Sequence, residues 1–505
     1  MTKTNLPIQV DQALAALEAA GYEAYIVGGA LRDMLLHKEP GDYDITTSAR
    51  PEQVLTICKN QGWQVVDNLG QNFGCVVAVI DHMALEITTF RGEAYGSDPH
   101  RPSEIYYCDS LREDLSRRDF TINALAMDRR GNIYDYYGGQ EDLQAQVLRT
   151  VGTAKKRYQE DALRMFRACR FVSQLNFTYV QEEDQTPGFG QENSPYYLAP
   201  SFSFPTAKAN GLSLERVRKE MDKLLLGKAP GKAMALLMAT GLTAISCRQK
   251  VKGRVLQVPL LPELSHLVGL EQNPRFHCYN VWEHTLLALD NSPAHLAIRW
   301  AMVLHDIGKG LPHIRKPNKE GQPSDHGHER ESAHMAKEIL TRLGYSYNFV
   351  QLVVWLVAQH MRFAPMLVTG IKTLQRWVRA EAASGYFRST EQLAEAYTLL
   401  VEVFLADMGA TQARSNQQLM TEGRALGEQV IALAKAMPVG NGDLAIGGKD
   451  LLAIIPRPAI KEVLAYLLQR VQANTALNTR DVLLELALKH WERLTAKAEQ
   501  EDNNA

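Results

Sequence analysis

Asp42 and Asp44 stand two residues apart in "DYDITT", a run whose composition and length predict a β-strand. Residues i and i+2 of a strand project from one face, so these carboxylates would repel each other unless cations lie between them. The pairing suits two Mg²⁺ ions ~4 Å apart, one activating an attacking hydroxyl and one holding a triphosphate with its leaving oxygens. Glu86, in "ALEITTF", is a candidate third carboxylate from a neighbouring strand, although an outward-facing glutamate fits the same pattern. Upstream, "AYIVGG" predicts a strand running into Gly28 and Gly29 and then a helix, a turn whose backbone N–H groups can approach phosphate oxygens. Two glycines after a strand can equally be a plain tight turn; the nearby aspartates are what connect them to phosphate.

A second set could grip and read a nucleotide. In "RRDFTINALAMD", Asp119 and Asn123 are four apart, a spacing that places them on one helix face after Arg117 and Arg118. Carboxylate and amide can engage ribose hydroxyls, and guanidiniums can fork onto triphosphate oxygens; a surface ion-pair cluster has the same composition. In "QEDALRMFRACRF", Asp161 and Arg164 are three apart on a predicted helix, and Arg167 and Arg170 continue the stripe. An Arg donor beside an Asp acceptor complements the Watson–Crick edges of cytosine and adenine, whereas uracil and guanine present the reverse pattern. Side chains alone could therefore select C and A.

A third set is rich in histidine. "NVWEHTLLAL" supplies His284, "MVLHDIGKG" supplies His305 and Asp306, "SDHGHERESAH" offers His326, His328 and His334, and "VAQHM" gives His360. Imidazole and carboxylate ligands suit a divalent transition metal, and Asp306 could bridge two ions. The His-Asp pair at the end of an apolar helix, followed by "IGKG", resembles the HD phosphohydrolase domain. That resemblance implies His284, His305 and Asp306 as metal ligands and Asp407 in "FLADMGA" as the late aspartate, with His328 and His360 as further ligands if the centre is dinuclear.

The elements that must carry these residues follow from pattern. From Gly21 to Met127 short β-rich runs alternate with helical ones; after about Thr150 strands nearly vanish and apolar residues recur every three or four positions. The expected fold is an α+β head with a small mixed sheet, then an all-α neck and body, an all-α histidine-bearing domain and a helical C-terminal region. The expected boundaries are 1–150, 151–250, 251–410 and 411–505. Val180–Gly211, with Pro187, Pro195, Pro200 and Pro205, predicts an irregular loop, and "KVKGRVLQVPLLPEL" a joint between helical domains. A chain of 505 residues is too long for one core, and 45% hydrophobic with 22% charged residues excludes wholly disordered, collagenous and coiled-coil classes.

Lys plus Arg (55) and Asp plus Glu (57) leave a net charge of −2, so any nucleic-acid surface must be local, around Arg149, Lys155, Lys156, Arg157 and the Arg stripe. Six scattered cysteines without a C-x-x-C pair argue against a zinc knuckle or a disulfide framework. The opening residues predict an amphipathic helix and no secretory leader, and no run approaches the ~20 apolar residues of a membrane span. The expected location is a reducing cytoplasm.

Taken in order, "GGALRD", "DYD", "TTFRGEAYGSDPHRPSE", "RRDFTINALA", "DYYGGQEDL", "EDALRMFRACRF" and "ERVRKEMDKLL" closely resemble the bacterial class II CCA-adding tRNA nucleotidyltransferases of the polymerase-β-like superfamily, over roughly residues 20–245. The resemblance implies a head carrying Asp42 and Asp44 as metal ligands, and nucleotide contacts at Gly29, Arg32, Arg118, Asp161, Arg164, Arg167 and Arg170. It implies addition of C and A from CTP and ATP to the acceptor arm of tRNA, with a loop over Arg91–Ser103 serving the switch to the terminal A. The attached HD domain implies phosphoesterase work on damaged RNA ends. The sequence departs from the family at His37, where Gly is usual, at Phe166, where Leu is common, and in the Pro-rich segment, which replaces a helix. Competing readings are a poly(A) polymerase, although "EDALR" lacks that group's Pro, an A-adding or CC-adding relative, an HD signalling hydrolase with a nucleotide-sensing head, and a non-catalytic RNA-binding module.

Overall fold

The computed structural model describes residues 6–66, 74–94, 104–180, 196, 204–369, 371–412 and 417–502. The chain divides into two compact units, Met1–Ser265 and His266–Ala505.

In the first unit, a seven-stranded sheet begins with β1 (Ala24–Val27), β2 (Asp44–Thr47), β3 (Gln64–Val66), β4 (Cys75–Ile80) and β5 (Met83–Thr89). A separate ribbon pairs β6 (Arg91–Ala94) with β7 (Glu104–Tyr107). The large sheet is completed by β8 (Leu125–Met127) and β9 (Ile133–Asp135), in the order β3-β4-β5-β2-β1-β8-β9. Only β2 and β5 pair in parallel, so the sheet is mixed, as expected. Alternation decides its faces: Val76, Ala78 and Ile80 of β4 and Leu85, Ile87 and Thr89 of β5 are buried, while Glu86 points the other way. The helices α1 (Ile8–Ala19), α2 (Gly29–Leu35), α3 (Pro51–Gln61), α4 (Leu111–Ser116) and α5 (Gly139–Ala145) belong to this head, and α1 buries Val10, Leu14 and Leu17 at helical spacing.

Three local expectations are corrected. Asp42 lies before the strand rather than in it: β2 starts at Asp44, opposite Val27, and β1 turns away immediately afterwards at Gly28 (φ +69°), leaving residues 42 and 43 no partner there. "RRDFTINALAMD" is not an α-helix but a 3₁₀ turn, Thr121–Asn123, feeding β8, whose pairing with β1 overrides helical continuation. The long helical pattern around "KKRYQEDALRMF" breaks at Asp161, which is extended (φ −137°, ψ 107°) between α6 (Ala154–Glu160) and α7 (Leu163–Leu175). There the Asp161 carboxylate accepts a hydrogen bond from the Leu163 N–H at 3.0 Å, the behaviour that draws Asp to helix starts.

α7 packs against α8 (Leu214–Leu225) and α9 (Pro230–Ala239). The head-to-neck region also holds a short parallel pair, β10 (Val147–Leu148) with β11 (Thr178–Tyr179). The stretch read as a joint is instead an antiparallel ribbon, β12 (Ser246–Val251) and β13 (Arg254–Pro259), so this region is not purely helical. Val-rich alternation around Lys252-Gly253 was its signal. Of the Pro-rich segment, 181–195 and 197–203 fall outside the described residues, as do 95–103 of the Arg91–Ser103 loop. Past that point Phe204 packs on Tyr158 and Tyr179, with ring centroids 4.8 and 5.5 Å apart. Phe166 is fully buried in α7. His37 follows α2 with φ +56°, and the N–H groups of His37 and Lys38 close onto Met34 and Asp33 carbonyls. It therefore occupies the left-handed helix-ending position that glycine normally takes, at a cost of about 1 kcal/mol.

The second unit is chiefly helical, with the centre described below carried by α10 (Val281–Asn291), α11 (Leu296–Leu304), α12 (His328–Arg342) and α13 (Tyr347–Gln359), together with the helix Thr390–Met408. A two-stranded pairing of Lys316–Pro317 with Pro323–Ser324 interrupts it. No helix among the described residues is long and apolar enough to cross a membrane, and all six cysteines are unpaired.

Candidate active site and metal centre

The head sheet places Asp44 between two partners: Val27, which leads into the Gly28 turn, on one side and Glu86 on the other. A Cβ on Gly28 would lie 3.2 Å from an Arg118 Nη1 and 3.5 Å from an Asp44 oxygen, so the absence of a side chain lets turn, guanidinium and carboxylate converge. Thr46, on the same strand face as Asp44, donates to the buried Asp114 at 3.1 Å, and Asp114 pairs with Arg117 at 2.9 Å and Arg118 at 3.5 Å. Burial raises the Asp44 carboxyl, the charges of Glu86 and Asp42 add to this against the pull of Arg118, and the result is about 6. Arg118 only partly compensates an acid so placed, which is the fit expected of a divalent-metal ligand. Asp42 and Glu86 are exposed and flank Asp44, and among the described residues the three head carboxylates are not drawn into a closed ligand set.

A cleft of about 770 Å³ is lined by Gly28, Gly29, Arg32, Asp42, Asp44, Arg118, Asp119, Asn123, Asp161, Arg164, Arg167 and Arg170, which is every residue expected at the catalytic and nucleotide sites except Glu86. Arg91, Arg117, Arg216 and Lys223 also line it, giving nine Arg or Lys side chains against four Asp, a balance suited to a polyanion. The network that shapes its wall runs from Arg32, which donates to the Asn123 side-chain oxygen Oδ1 at 2.8 Å, through the Asn123 amide nitrogen, which donates to Asp119 at 3.1 Å, to Arg167, which donates to the other Asp119 oxygen at 2.7 Å. Burial would raise the Asp119 carboxyl, but Arg167 and the Asn123 amide outweigh it and hold it near 2.

The Arg stripe is not a bare cationic face. Arg164 pairs with Glu160 at 2.8 Å and donates to the Arg117 carbonyl at 2.7 Å, Arg167 pairs with Asp119, and Arg170 with Glu220 at 3.1 Å. Arg32, Arg167 and Arg170 also lie over the Phe171 ring, with guanidinium carbons 5.2, 5.6 and 4.3 Å from its centroid. Glu160, Glu220, Asp114 and Phe171 were missed in the sequence, although the three acids stand three or four residues from an arginine or on a helix packed against one. Arg157, read as part of an RNA surface, is buried and donates to the Ser116 carbonyl and to Glu160, and Arg149 pairs with Asp142.

In the second unit the structure brings together His284, His305, Asp306, His328, His360 and Asp407. One Asp306 oxygen lies 3.6 and 3.3 Å from the Nε2 atoms of His284 and His305, and the other lies 3.0 and 3.9 Å from those of His328 and His360. Asp407 is 3.0 Å from His284 Nε2. His326 and His334 stay outside; both are exposed, and His334 pairs with Glu338. Each of the four rings turns Nδ1 to a backbone carbonyl, of Ala410, Met302, Asp325 and Val357, at 2.7–3.2 Å. A carbonyl only accepts, so Nδ1 carries the proton and Nε2 presents a lone pair. Lone pairs then face one another, His284 to His305 at 3.2 Å and His328 to His360 at 3.3 Å. Two such pairs around the buried Asp306 carboxylate form two ligand sets of the kind that can hold a divalent metal ion, His284, His305 and Asp306 on one side and Asp306, His328 and His360 on the other. Lys309, three residues after Asp306 and missed in the sequence, pairs with it at 2.7 Å and donates to Gln272 at 2.8 Å.

With this geometry in hand, comparison with known proteins is direct. Residues 24–149 match the profile of the "Poly A polymerase head domain", 210–246 that of the "Probable RNA and SrmB- binding site of polymerase A", and 276–408 that of the "HD domain". Residues 24–149 are thus similar to poly A polymerase heads and residues 276–408 to HD domains. The curated relatives that the chain matches include CCA-adding enzymes. It is 38% identical over 308 residues to that of Geobacillus stearothermophilus, covering 60% of this chain and 65% of the relative, and 41% identical over 229 residues to that of Bacillus subtilis, covering 45% and 53%. The chain thus spans less than two thirds of the length of the curated relatives it matches. The solved CCA-adding enzyme of Bacillus stearothermophilus in complex with CTP is 25% identical and covers 98% of both chains with a TM-score of 0.59.

Proposed function

We propose that this protein builds or repairs the 3′-terminal CCA of tRNA without a nucleic-acid template, using CTP and ATP in the cytoplasm. One observation carries the reading: the Asp42–Asp44 corner and the Asp161–Arg164 pair open into the same cation-rich cleft, beyond the glycine turn. The CCA-adding relatives, one solved with CTP, support it. Asp42 and Asp44, with Glu86 beside them, would hold Mg²⁺, which supplies Lewis-acid activation of the RNA 3′-hydroxyl and offsets the charge of the triphosphate. Arg118, the Gly29 N–H and Arg32 grip phosphate oxygens, and Asp119 and Asn123 face the ribose. The 3′-hydroxyl oxygen bonds to the α-phosphorus as the bond to the β-phosphate breaks, and pyrophosphate leaves. Asp161 accepts from the exocyclic amine of C or A while Arg164 donates to the ring nitrogen, so U and G meet like against like. Labelled CMP incorporation into a tRNA transcript lacking CCA, with stoichiometric pyrophosphate release, tests the proposal; RNA binding with no pyrophosphate contradicts it. Long tails from ATP alone would favour the poly(A) polymerase reading.

The HD centre favours a second activity, metal-dependent phosphoester hydrolysis at RNA ends. Its histidines and Asp306 would hold two divalent transition metals, which supply an activated water. Asp306→Asn is expected to cut metal content measured by elemental analysis from about two equivalents to less than one, leaving nucleotide incorporation intact. Unchanged metal content contradicts the assignment.

A further inference from the structure

Apart from these two centres, the β12–β13 ribbon carries charge that the protein itself does not answer. Over Ser246–Pro259 it reads SCRQKVKGRVLQVP, with four cations, Arg248, Lys250, Lys252 and Arg254, and no Asp or Glu. All four are exposed, and none forms an ion pair among the described residues, in contrast to the partnered arginines of α7. The two-residue turn holds Lys252 at φ +47° and Gly253 at +80°, with Val251 opposite Arg254, so the tip is a tight hairpin. Asn or Asp is the usual first residue of such a turn, and a lysine there accepts left-handed strain. Arg248 and Lys250 project from one face ~7 Å apart, and Lys252 follows at the tip, a spacing comparable to that of successive phosphates on a nucleic-acid strand.

The ribbon is anchored to the nucleotide cleft. The Arg248 N–H donates to the Leu212 carbonyl at 2.8 Å, and Arg248 bridges Ser213, the residue that starts α8. That helix lines the cleft with Arg216 and Lys223 and holds Arg170 through Glu220. The ribbon therefore carries its cations from Arg248, beside a helix of the cleft wall, to Lys252 at a tip four residues, ~13 Å, away.

We propose that the β12–β13 ribbon is an RNA-backbone docking element, in which Arg248, Lys250, Lys252 and Arg254 bind phosphates of the folded RNA whose 3′ end is being extended. The inference rests on the RNA-substrate reading above. Val255 and Leu256 are also exposed on the ribbon, which would serve a protein partner, but four cations without an acid favour phosphate.

The test uses the full chain with Lys250→Gln/Lys252→Gln and, separately, Val255→Thr/Leu256→Thr. Both pairs are solvent-facing. CMP incorporation into tRNA lacking CCA and equilibrium binding of the same transcript are measured over a series of KCl concentrations. The lysine variant is expected to raise the RNA KM and Kd about tenfold and flatten the slope of log Kd against log salt by about 2, with kcat and the CTP KM within about twofold of wild type. RNA affinity and salt slope unchanged in that variant, or lost only in the Val255/Leu256 variant, overturns the proposal. Ribbon-dependent RNA binding in a wild-type chain that adds no nucleotide overturns the functional reading alone.

Discussion

Asp44→Asn is expected to lower CMP and AMP incorporation by at least about 10³-fold while leaving tRNA affinity and any HD phosphoesterase activity near wild type. The amide matches the carboxylate in shape, and the β2 backbone keeps its pairing with Val27 and Glu86, so the sheet is not disturbed. What disappears is the most buried of the three head carboxylates, the one whose proton affinity rises through burial, Glu86 and Asp42. A loss of about 10³ corresponds to ~4 kcal/mol of transition-state stabilisation, the scale expected when a divalent cation loses its main anionic ligand. Incorporation within about tenfold of wild type would show that the head carboxylates do not hold the catalytic metal.

Arg164→Ala is expected to collapse base choice, reducing the ratio of kcat/KM for CTP over UTP by about 10²-fold or more. Discrimination by a built hydrogen-bonding site is large because the wrong base leaves buried polar groups unpaired. The structure shows how the guanidinium is aimed: Glu160 holds Nη1 at 2.8 Å and the Arg117 carbonyl holds Nη2 at 2.7 Å. Two of its donor groups are thus spent on orientation. Single-turnover rates with each of the four nucleoside triphosphates measure the effect, and an unaltered CTP:UTP ratio would refute base reading by this side chain.

The chemistry was more legible in the sequence than its scaffolding. The residues proposed to contact phosphate, ribose and base stand in short blocks of the sequence, and nearly all of them line one cleft. Local conformation was harder to read. A spacing of four looked helical at Asp119 and Asn123, yet strand pairing of β8 with β1 bends that stretch into a 3₁₀ turn that still brings the two side chains to 3.1 Å. Asp161 breaks a continuous helical pattern because its own carboxylate competes for the Leu163 N–H. The orienting acids Glu160, Asp114 and Glu220 stayed hidden because their role depends on which helices pack together. His305 and Asp306 are visible as a pair and the HD resemblance adds His328 and His360; the fold supplies the reason for His328 rather than His326 or His334, since α12's first residue faces Asp306. The β12–β13 ribbon reads as a linker in the sequence because its basic, Gly-containing turn resembles one.

Three tRNA transcripts, ending before the CCA, after its first C and after both Cs, each offered labelled CTP and ATP separately and together, test the central claim most directly. The account predicts two C additions to the first and one to the second from CTP alone. It predicts a single A on the third from ATP alone, completion of all three with both nucleotides, and then arrest. Long A tails from ATP alone, or C addition that continues past the second position, would contradict it.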